Sequence, residues 1–186
     1  MKHILMLIAT LGAIPAQADH PGERLDEVLA QKEPAFEAVD LSDLPKLDLL
    51  GPNDAPFDLV KLSDQVIVLS FVPAGCGRPC KDQQAALAKV RDGVNASAML
   101  SMVTFLVVGD GGGLVPAPIA ENVVIARPQE PIERLIDRFR ALSPEDPGAP
   151  LVHVIARGSR HAAIFEGSAF RHINMILYIN GLTNEH

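Results

Sequence analysis

The amino-acid sequence predicts an α/β domain with a central mixed β-sheet flanked by helices. Two runs, 66–72 and 102–108, are almost continuously apolar and rich in β-branched residues, which is typical of strands covered on both faces. Segments whose apolar residues recur at helical spacing follow these runs. Two short apolar runs around a turn at Arg157-Gly158-Ser159 indicate a closing hairpin. Strands separated by helices, combined with a terminal hairpin, predict parallel and antiparallel pairing in one sheet.

The elements follow one another in a regular order along the chain. Residues 47–50 and 57–60 flank a Gly51-Pro52-Asn53-Asp54 turn and predict an N-terminal hairpin extension. The first buried strand, 66–72, ends at Pro73-Ala74-Gly75, and the cysteines follow. The later predicted elements are a helix over 82–94, strands over 102–108 and 122–126, a helix over 132–142, a hairpin of 151–156 with 162–165, and a last helix over 170–179. This order is the thioredoxin arrangement.

Residues 1–18 predict a cleaved export signal. Lys2 supplies a positive charge, 4–14 form an apolar run, and Ala16-Gln17-Ala18 has the small-x-small pattern of a cleavage site. The run is shorter than the roughly 20 apolar residues that a membrane-spanning helix needs. We therefore expect a periplasmic protein with no membrane span after cleavage. An uncleaved N-terminal anchor is the alternative interpretation.

The rest of the chain divides into two predicted parts. Residues 19–45 are polar with few strand signals and predict an N-terminal arm, with a short helix over 24–31. Residues 46–186 predict the thioredoxin-like domain. The formal net charge is −7, which argues against nucleic acid as a partner because phosphates require a basic surface.

Cys76 and Cys80 are the only cysteines in the chain, and their spacing predicts chemistry at this pair. A disulfide between them closes a very short loop, so its contribution to stability through loop-closure entropy is small. A helix that begins by Gly77 places both sulfurs on one face, and its N-terminus favours the thiolate form. Arg78 and Lys81 add positive charge. The pair therefore predicts reversible redox chemistry or the binding of a soft metal ion such as Cu(I). The alternative is that both cysteines are small apolar residues buried in the core.

Four segments, 66–80, 152–157, 165–167 and 174–184, resemble the SCO/SenC family, thioredoxin-fold copper chaperones of cytochrome c oxidase assembly. The resemblance runs from residue 47 to the C-terminus and includes the three-residue gap between the cysteines. It implies that Cys76 and Cys80 bind copper as Cu(I). It also implies a client that is the copper subunit of cytochrome oxidase or another periplasmic cuproprotein.

Three positions depart from the family pattern. The resemblance implies a histidine as the third copper ligand, and this ligand falls at Gly148. The family's proline after the second cysteine is Lys81 here. The family's Asp-Pro-x-x-Asp-Thr segment is reduced to Gly109-Asp110 followed by three glycines. The missing histidine weakens the implied copper site most.

Other histidines are candidate replacements for this ligand. His153 is the nearest in sequence, so Cys76, Cys80 and His153 form the predicted metal set; a half-buried strand histidine is the alternative. We expect His161 and His172 at the surface. His20, close to the predicted mature N-terminus, offers a loose Cu(II) site of a generic kind.

Pro150 precedes the strand predicted to face the cysteines, which is the place of a cis proline in thioredoxin-like folds, although an ordinary loop proline is also compatible.

Three functions stay open. The first is copper delivery. The second is thiol–disulfide reduction of a client's metal-binding cysteines, with the more exposed Cys76 attacking and Cys80 resolving. The third is a scaffold with a locked disulfide.

Overall fold

The computed structural model describes residues 21–110, 120–143 and 148–185. The strands of this part of the chain are β1 (Phe36–Leu41), β2 (Leu49–Leu50), β3 (Pro56–Phe57), β4 (Val66–Val72), β5 (Val103–Gly109), β6 (Val123–Pro128), β7 (Leu151–Ile155) and β8 (His161–Glu166). Its helices are α1 (Pro21–Lys32), α2 (Arg78–Asn95), α3 (Ile132–Arg140) and α4 (His172–Thr183). The strands form one sheet in the order β1-β8-β7-β4-β5-β6-β2-β3.

Strand β4 lies in the middle of this sheet and has every residue buried. It pairs in parallel with β5 and antiparallel with β7, and β5 pairs in parallel with β6. The continuous apolar character of β4 follows from this position, because helices cover both of its faces. The predicted thioredoxin-like α/β fold with a mixed sheet is confirmed.

Alternate residues of the central strands point to opposite faces and build two apolar clusters. Val68 contributes to a cluster that contains Val90 of α2 and Ile179 of α4. Leu69 contributes to the cluster on the other face, which contains Leu135 of α3. Helices α2 and α4 therefore cover one face of the sheet, and α3 covers the other.

The two edges of the sheet come from the N-terminal part of the chain. The predicted N-terminal hairpin is confirmed, with two-residue strands β2 and β3 in antiparallel pairing. Strand β2 also pairs with β6, so this hairpin forms one edge. Strand β1 pairs antiparallel with β8 and forms the other edge.

Strand β1 was not predicted, since 19–45 carry few strand signals. Phe36 is buried, and the remaining residues of β1 are exposed or half-buried. The ring of Phe36 packs against Phe165 and Tyr178, with centroids 5.2 Å and 5.1 Å apart. An edge strand has one side open to solvent, so backbone pairing with β8 and a single buried ring hold β1 without an apolar pattern.

Several helix boundaries differ from the prediction by a few residues. Helix α2 begins at Arg78 rather than at residue 82, because Pro79 is favourable in a first helical turn. Helix α1 spans Pro21–Lys32 rather than 24–31. The last helix spans His172–Thr183 rather than 170–179.

Glu33 joins the N-terminal arm to the end of the fold. Its carboxylate accepts hydrogen bonds from the Arg171 backbone N–H at 2.8 Å and from Asn174 Nδ2 at 2.9 Å, at the start of α4. Its exposed fraction is 2%. We expect Glu33→Ala to lower the free energy of unfolding by about 2–4 kcal/mol, because it leaves the buried Asn174 amide and the partly buried Arg171 N–H without their acceptor. Urea denaturation measures this change.

A matched control for this prediction is Glu27→Ala, which removes an exposed carboxylate from the same arm. We expect that variant to stay within about 0.5 kcal/mol of the wild type. Equal stability of the two variants would show that Glu33 does not hold α4 in place.

Candidate functional site

The cysteines lie just beyond the carboxyl end of β4. The chain turns after Pro73, whose carbonyl accepts from the Cys76 N–H at 3.1 Å. Gly77 follows with a φ of 63°, a conformation that glycine adopts readily and other residues do not. Helix α2 begins at the next residue, so Cys80 lies in its first turn. Cys76 and Cys80 form a disulfide with a Cα–Cα distance of 5.7 Å, as expected for sulfurs on one face.

The two cysteines of this disulfide differ in exposure. Cys80 is 1% exposed and packs against Val72 and Val107. Its Sγ lies 3.9 Å from the Phe71 carbonyl oxygen, which can accept a hydrogen bond from the thiol after reduction. Cys76 is only half-buried. The predicted order of exposure is confirmed, and a thiolate on Cys76 is the one that a partner can reach.

A cavity of about 210 Å³ opens beside the disulfide. Both cysteines form one wall, and residues 148–151 form another. Arg140, at the end of α3, and His153 of β7 also line it. Most of the remaining lining is apolar, so the disulfide borders a pocket that suits a client segment with apolar side chains.

Gln83 connects helix α2 to the segment that forms another wall of this cavity. Its Nε2 donates to the Pro150 carbonyl at 2.7 Å and to the Gly167 carbonyl at 3.2 Å, and the residue is 0% exposed. Helix α2, which carries Cys80, is thereby tied to the loop before β7. Gln83 is not among the site residues predicted from the sequence. The available signal was its spacing, three residues after Cys80 and four before the buried Leu87, which places it on the inner face of α2.

Pro150 lies where the sequence placed it, immediately before β7 and in the cavity wall. Its carbonyl also accepts from the Gly167 N–H at 2.8 Å, so the loop is held from two sides. A cis peptide bond before Pro150 stays a prediction.

His153 and His161 form a buried pair beneath the cavity. His153 Nδ1 lies 3.2 Å from His161 Nε2, so one ring donates a hydrogen bond to the other. Burial lowers the pKa of His161 to about 4. Burial, and secondarily the charge on His161, lowers the pKa of His153 well below its usual value. Both imidazoles are therefore neutral at neutral pH.

This arrangement corrects the expectations for these residues. His161 is 0% exposed, so its predicted surface position is wrong. It opens β8, which lies between β1 and β7, and the unpredicted β1 covers its outer side. His153 is 1% exposed rather than half-buried. His172 is exposed as predicted.

The predicted metal set of Cys76, Cys80 and His153 is not gathered into one group. In the parts of the chain described, no three His, Cys, Asp or Glu residues lie close enough together to hold a metal ion. His153 lines the cavity, but its Nδ1 is engaged with His161. Its role as a third ligand stays a prediction. Gly148, where the resemblance implies the family's copper histidine, lies in the cavity wall.

Several predictions concern residues outside the described ranges. These are the export signal over 1–18, His20 and the glycines at 111–113. Among the described residues, no helix is both long and apolar enough to cross a membrane.

The fold and the site define a thioredoxin-like protein with a Cys-x3-Cys disulfide at the start of a sheet-covering helix. No family model matches the chain, and no curated protein matches its sequence. Solved structures do match it, among them members of the SCO1/SenC family.

Three of these structures illustrate the likeness. A SCO1/SenC family lipoprotein from Bacillus anthracis has a TM-score of 0.56 and 14% identity, over 83% of this chain and 99% of that one. Yeast Sco1 with copper bound has a TM-score of 0.58 and 11% identity, over 78% of this chain and 95% of that one. A DsbF homologue from Corynebacterium diphtheriae has a TM-score of 0.53 and 16% identity, over 80% and 93%. At these identities the likeness establishes the fold.

Proposed function

We propose that this chain is an exported, Sco-like protein that exchanges thiols and disulfides with a cuproprotein client through Cys76 and Cys80. The observation that carries the proposal is the asymmetry of the pair: both cysteines line the cavity, but Cys76 is only half-buried, whereas Cys80 is 1% exposed. Such a pair suits an attacking and a resolving cysteine. A periplasmic location is part of the proposal, since disulfides persist in oxidising compartments.

In the proposed reaction the reduced protein acts on a client disulfide. The Cys76 thiolate attacks one client sulfur, which forms a mixed disulfide, and the other client sulfur leaves as a thiolate that takes up a proton. The Cys80 thiolate then attacks Cys76 Sγ, which restores the internal disulfide and releases the second client thiol. The client gains two electrons and two protons, and an external dithiol returns the protein to its reduced form.

The surroundings of the pair support this chemistry. Cys76 lies just before the N-terminus of α2 and Cys80 lies in its first turn, where the positive end of the helix dipole favours the thiolate form. Arg78 and Lys81 are exposed cations beside the pair, and Arg78 Nε lies 3.4 Å from an oxygen of Asp82. No carboxylate is among the described residues that line the cavity.

Copper delivery is the second candidate function, with Cu(I) as cargo. It is favoured by the fold shared with copper-bound yeast Sco1 and by the two sulfurs, which as thiolates are ligands that Cu(I) prefers. The reduced pair offers two donors, and with Gly148 in the place of a histidine we expect weak, exchangeable binding. The client under both candidates is the copper subunit of cytochrome oxidase or another cuproprotein.

The Cys80→Ser variant tests the first candidate. Incubated with a peptide that contains an internal disulfide, it will accumulate a one-to-one mixed disulfide at Cys76, because the resolving thiol is gone. The reverse variant, Cys76→Ser, leaves a thiol that is 1% exposed and will react at least about 100-fold more slowly. Intact-protein mass spectrometry measures both adducts over time.

Two results would contradict this proposal. Equal trapping by both variants would mean that the difference in exposure does not select the attacking cysteine. A wild-type disulfide that resists excess dithiothreitol would mean that the pair is locked, and a scaffold role would replace thiol exchange.

A further inference from the structure

Arg140 is the last residue of α3. Among the described residues that line the disulfide cavity, it is the one Lys or Arg. The structure gives its guanidinium no hydrogen bond or ion pair with any described residue. Its Nε atom is buried and has no hydrogen-bond partner there. A buried donor without an acceptor is unfavourable, and a guanidinium offers five donors in a planar fork.

The other arginines of the described part that are buried or half-buried differ from Arg140 in this respect. Arg91 pairs with Asp92, and Arg157 and Arg160 both contact Glu185. On α3 itself, Arg138 is bonded to Glu130 and to the Lys46 carbonyl. Among the described residues, Arg140 therefore stands out as a partly buried cation that lines a cavity and has no hydrogen-bond or ion-pair partner there.

The charges around the disulfide are arranged asymmetrically. Arg140 lies on the side of the cavity formed by α3. On the far side of Pro150, a second cleft is lined by Glu166. A client segment that crosses the disulfide thus meets a cation on one flank and a carboxylate on the other.

We propose that Arg140 is a specificity-determining residue that binds a carboxylate of the client segment docked beside Cys76 and Cys80. This proposal rests on the proposed thiol–disulfide exchange. The occupant is an acidic peptide segment, with an Asp or Glu close to its reacting cysteine. Arginine and carboxylate form paired, charge-assisted hydrogen bonds, so Arg140 selects both charge and orientation.

Activated peptides test this assignment. Each peptide carries a single cysteine as a 2-pyridyl disulfide, which has a neutral leaving group, and Asp, Asn or Lys beside that cysteine. The Cys76 thiolate displaces pyridinethione, and Cys80 then releases the peptide thiol. We expect the reduced wild type to react about tenfold faster with the Asp peptide than with the Asn peptide at low salt, and more slowly with the Lys peptide.

The variants separate the outcomes of this experiment. Arg140→Gln will remove the preference for the Asp peptide, and Arg140→Lys will keep only part of it. Arg134→Gln, an exposed residue on the same helix and an equal change in charge, will keep all of it. Reaction with neutral 2,2′-dithiodipyridine reports the cysteines alone. If the wild type fails to react with 2,2′-dithiodipyridine, the exchange function is overturned. If it reacts normally but shows no preference for the Asp peptide, or if the preference survives in Arg140→Gln, the role of Arg140 is overturned.

Discussion

Replacing Gly148 by histidine will raise the affinity of the reduced protein for Cu(I) by about 100-fold or more, equivalent to about 2.7 kcal/mol. Gly148 lies in the wall of the cavity that contains both sulfurs, and a Cβ added there meets nothing within 4 Å. Its φ lies outside the left-handed region, so a side chain introduces no backbone strain. An imidazole at this position adds a third donor that suits copper to the two soft thiolates.

A titration against a competing Cu(I) chelator under anaerobic conditions measures this gain. Gly148→Gln is the matched control, because it adds a side chain of similar length without an imidazole, and we expect it to bind copper as the wild type does. Gly148→His combined with Cys80→Ser should lose the gain. Tight binding by the wild type, unchanged in Gly148→His, would mean that another side chain already supplies the third ligand.

Acidification will destabilise the protein through the buried pair His153 and His161. The pKa of His161 is lowered to about 4 and that of His153 is lowered as well, both chiefly by burial, whereas in the unfolded chain each histidine has its usual pKa near 6.5. Below about pH 6.5 the unfolded state therefore takes up protons that the folded state excludes. The free energy of unfolding then falls by about 1.4 kcal/mol per pH unit for each histidine, or about 3 kcal/mol for His161 alone by pH 4.

Above about pH 6.5 the pair contributes no pH dependence, since both histidines are neutral in both states. Urea denaturation at a series of pH values measures the slope. Carboxylates titrate in the same range, so the informative quantity is the difference between variants. His161→Gln keeps a polar atom near His153 Nδ1 and should reduce the slope by about 1.4 kcal/mol per pH unit. His172→Gln, which changes an exposed histidine on α4, should keep the wild-type slope, and an unchanged slope in His161→Gln would refute the explanation.

Some features of the site could be predicted from the sequence and others could not. The cysteine pair, its place after β4 and the greater exposure of Cys76 were all predicted, because strand, turn and helix start are encoded within about a dozen consecutive residues. The burial of His161 was not. It depends on β1, which comes from the far N-terminal side of the chain and has no strand pattern of its own.

The surroundings of Arg140 and Gln83 also could not be predicted from the sequence. Each is a polar residue in an amphipathic helix. The spacing of Gln83 indicates the inner face of α2 but not the groups that it contacts, and the sequence pattern does not distinguish Arg140 from solvent-facing neighbours. Gln83 bonds to carbonyls of Pro150 and Gly167, more than sixty residues away in sequence. Arg140 lines the same cavity as the cysteines only because α3 covers the sheet face opposite α2.

The sequence by itself determined the thioredoxin-like order of elements, the buried central strand and the chemistry of Cys76 and Cys80, because periodicity and local turn geometry depend on neighbouring residues. Tertiary structure decided which side chains surround that chemistry. Strand order and register bring distant segments together, and a side chain's burial is set by whichever element packs over it. For that reason the open space around Gly148, the neutral His153–His161 pair and the place of Arg140 in the cavity lining emerged only from the folded molecule.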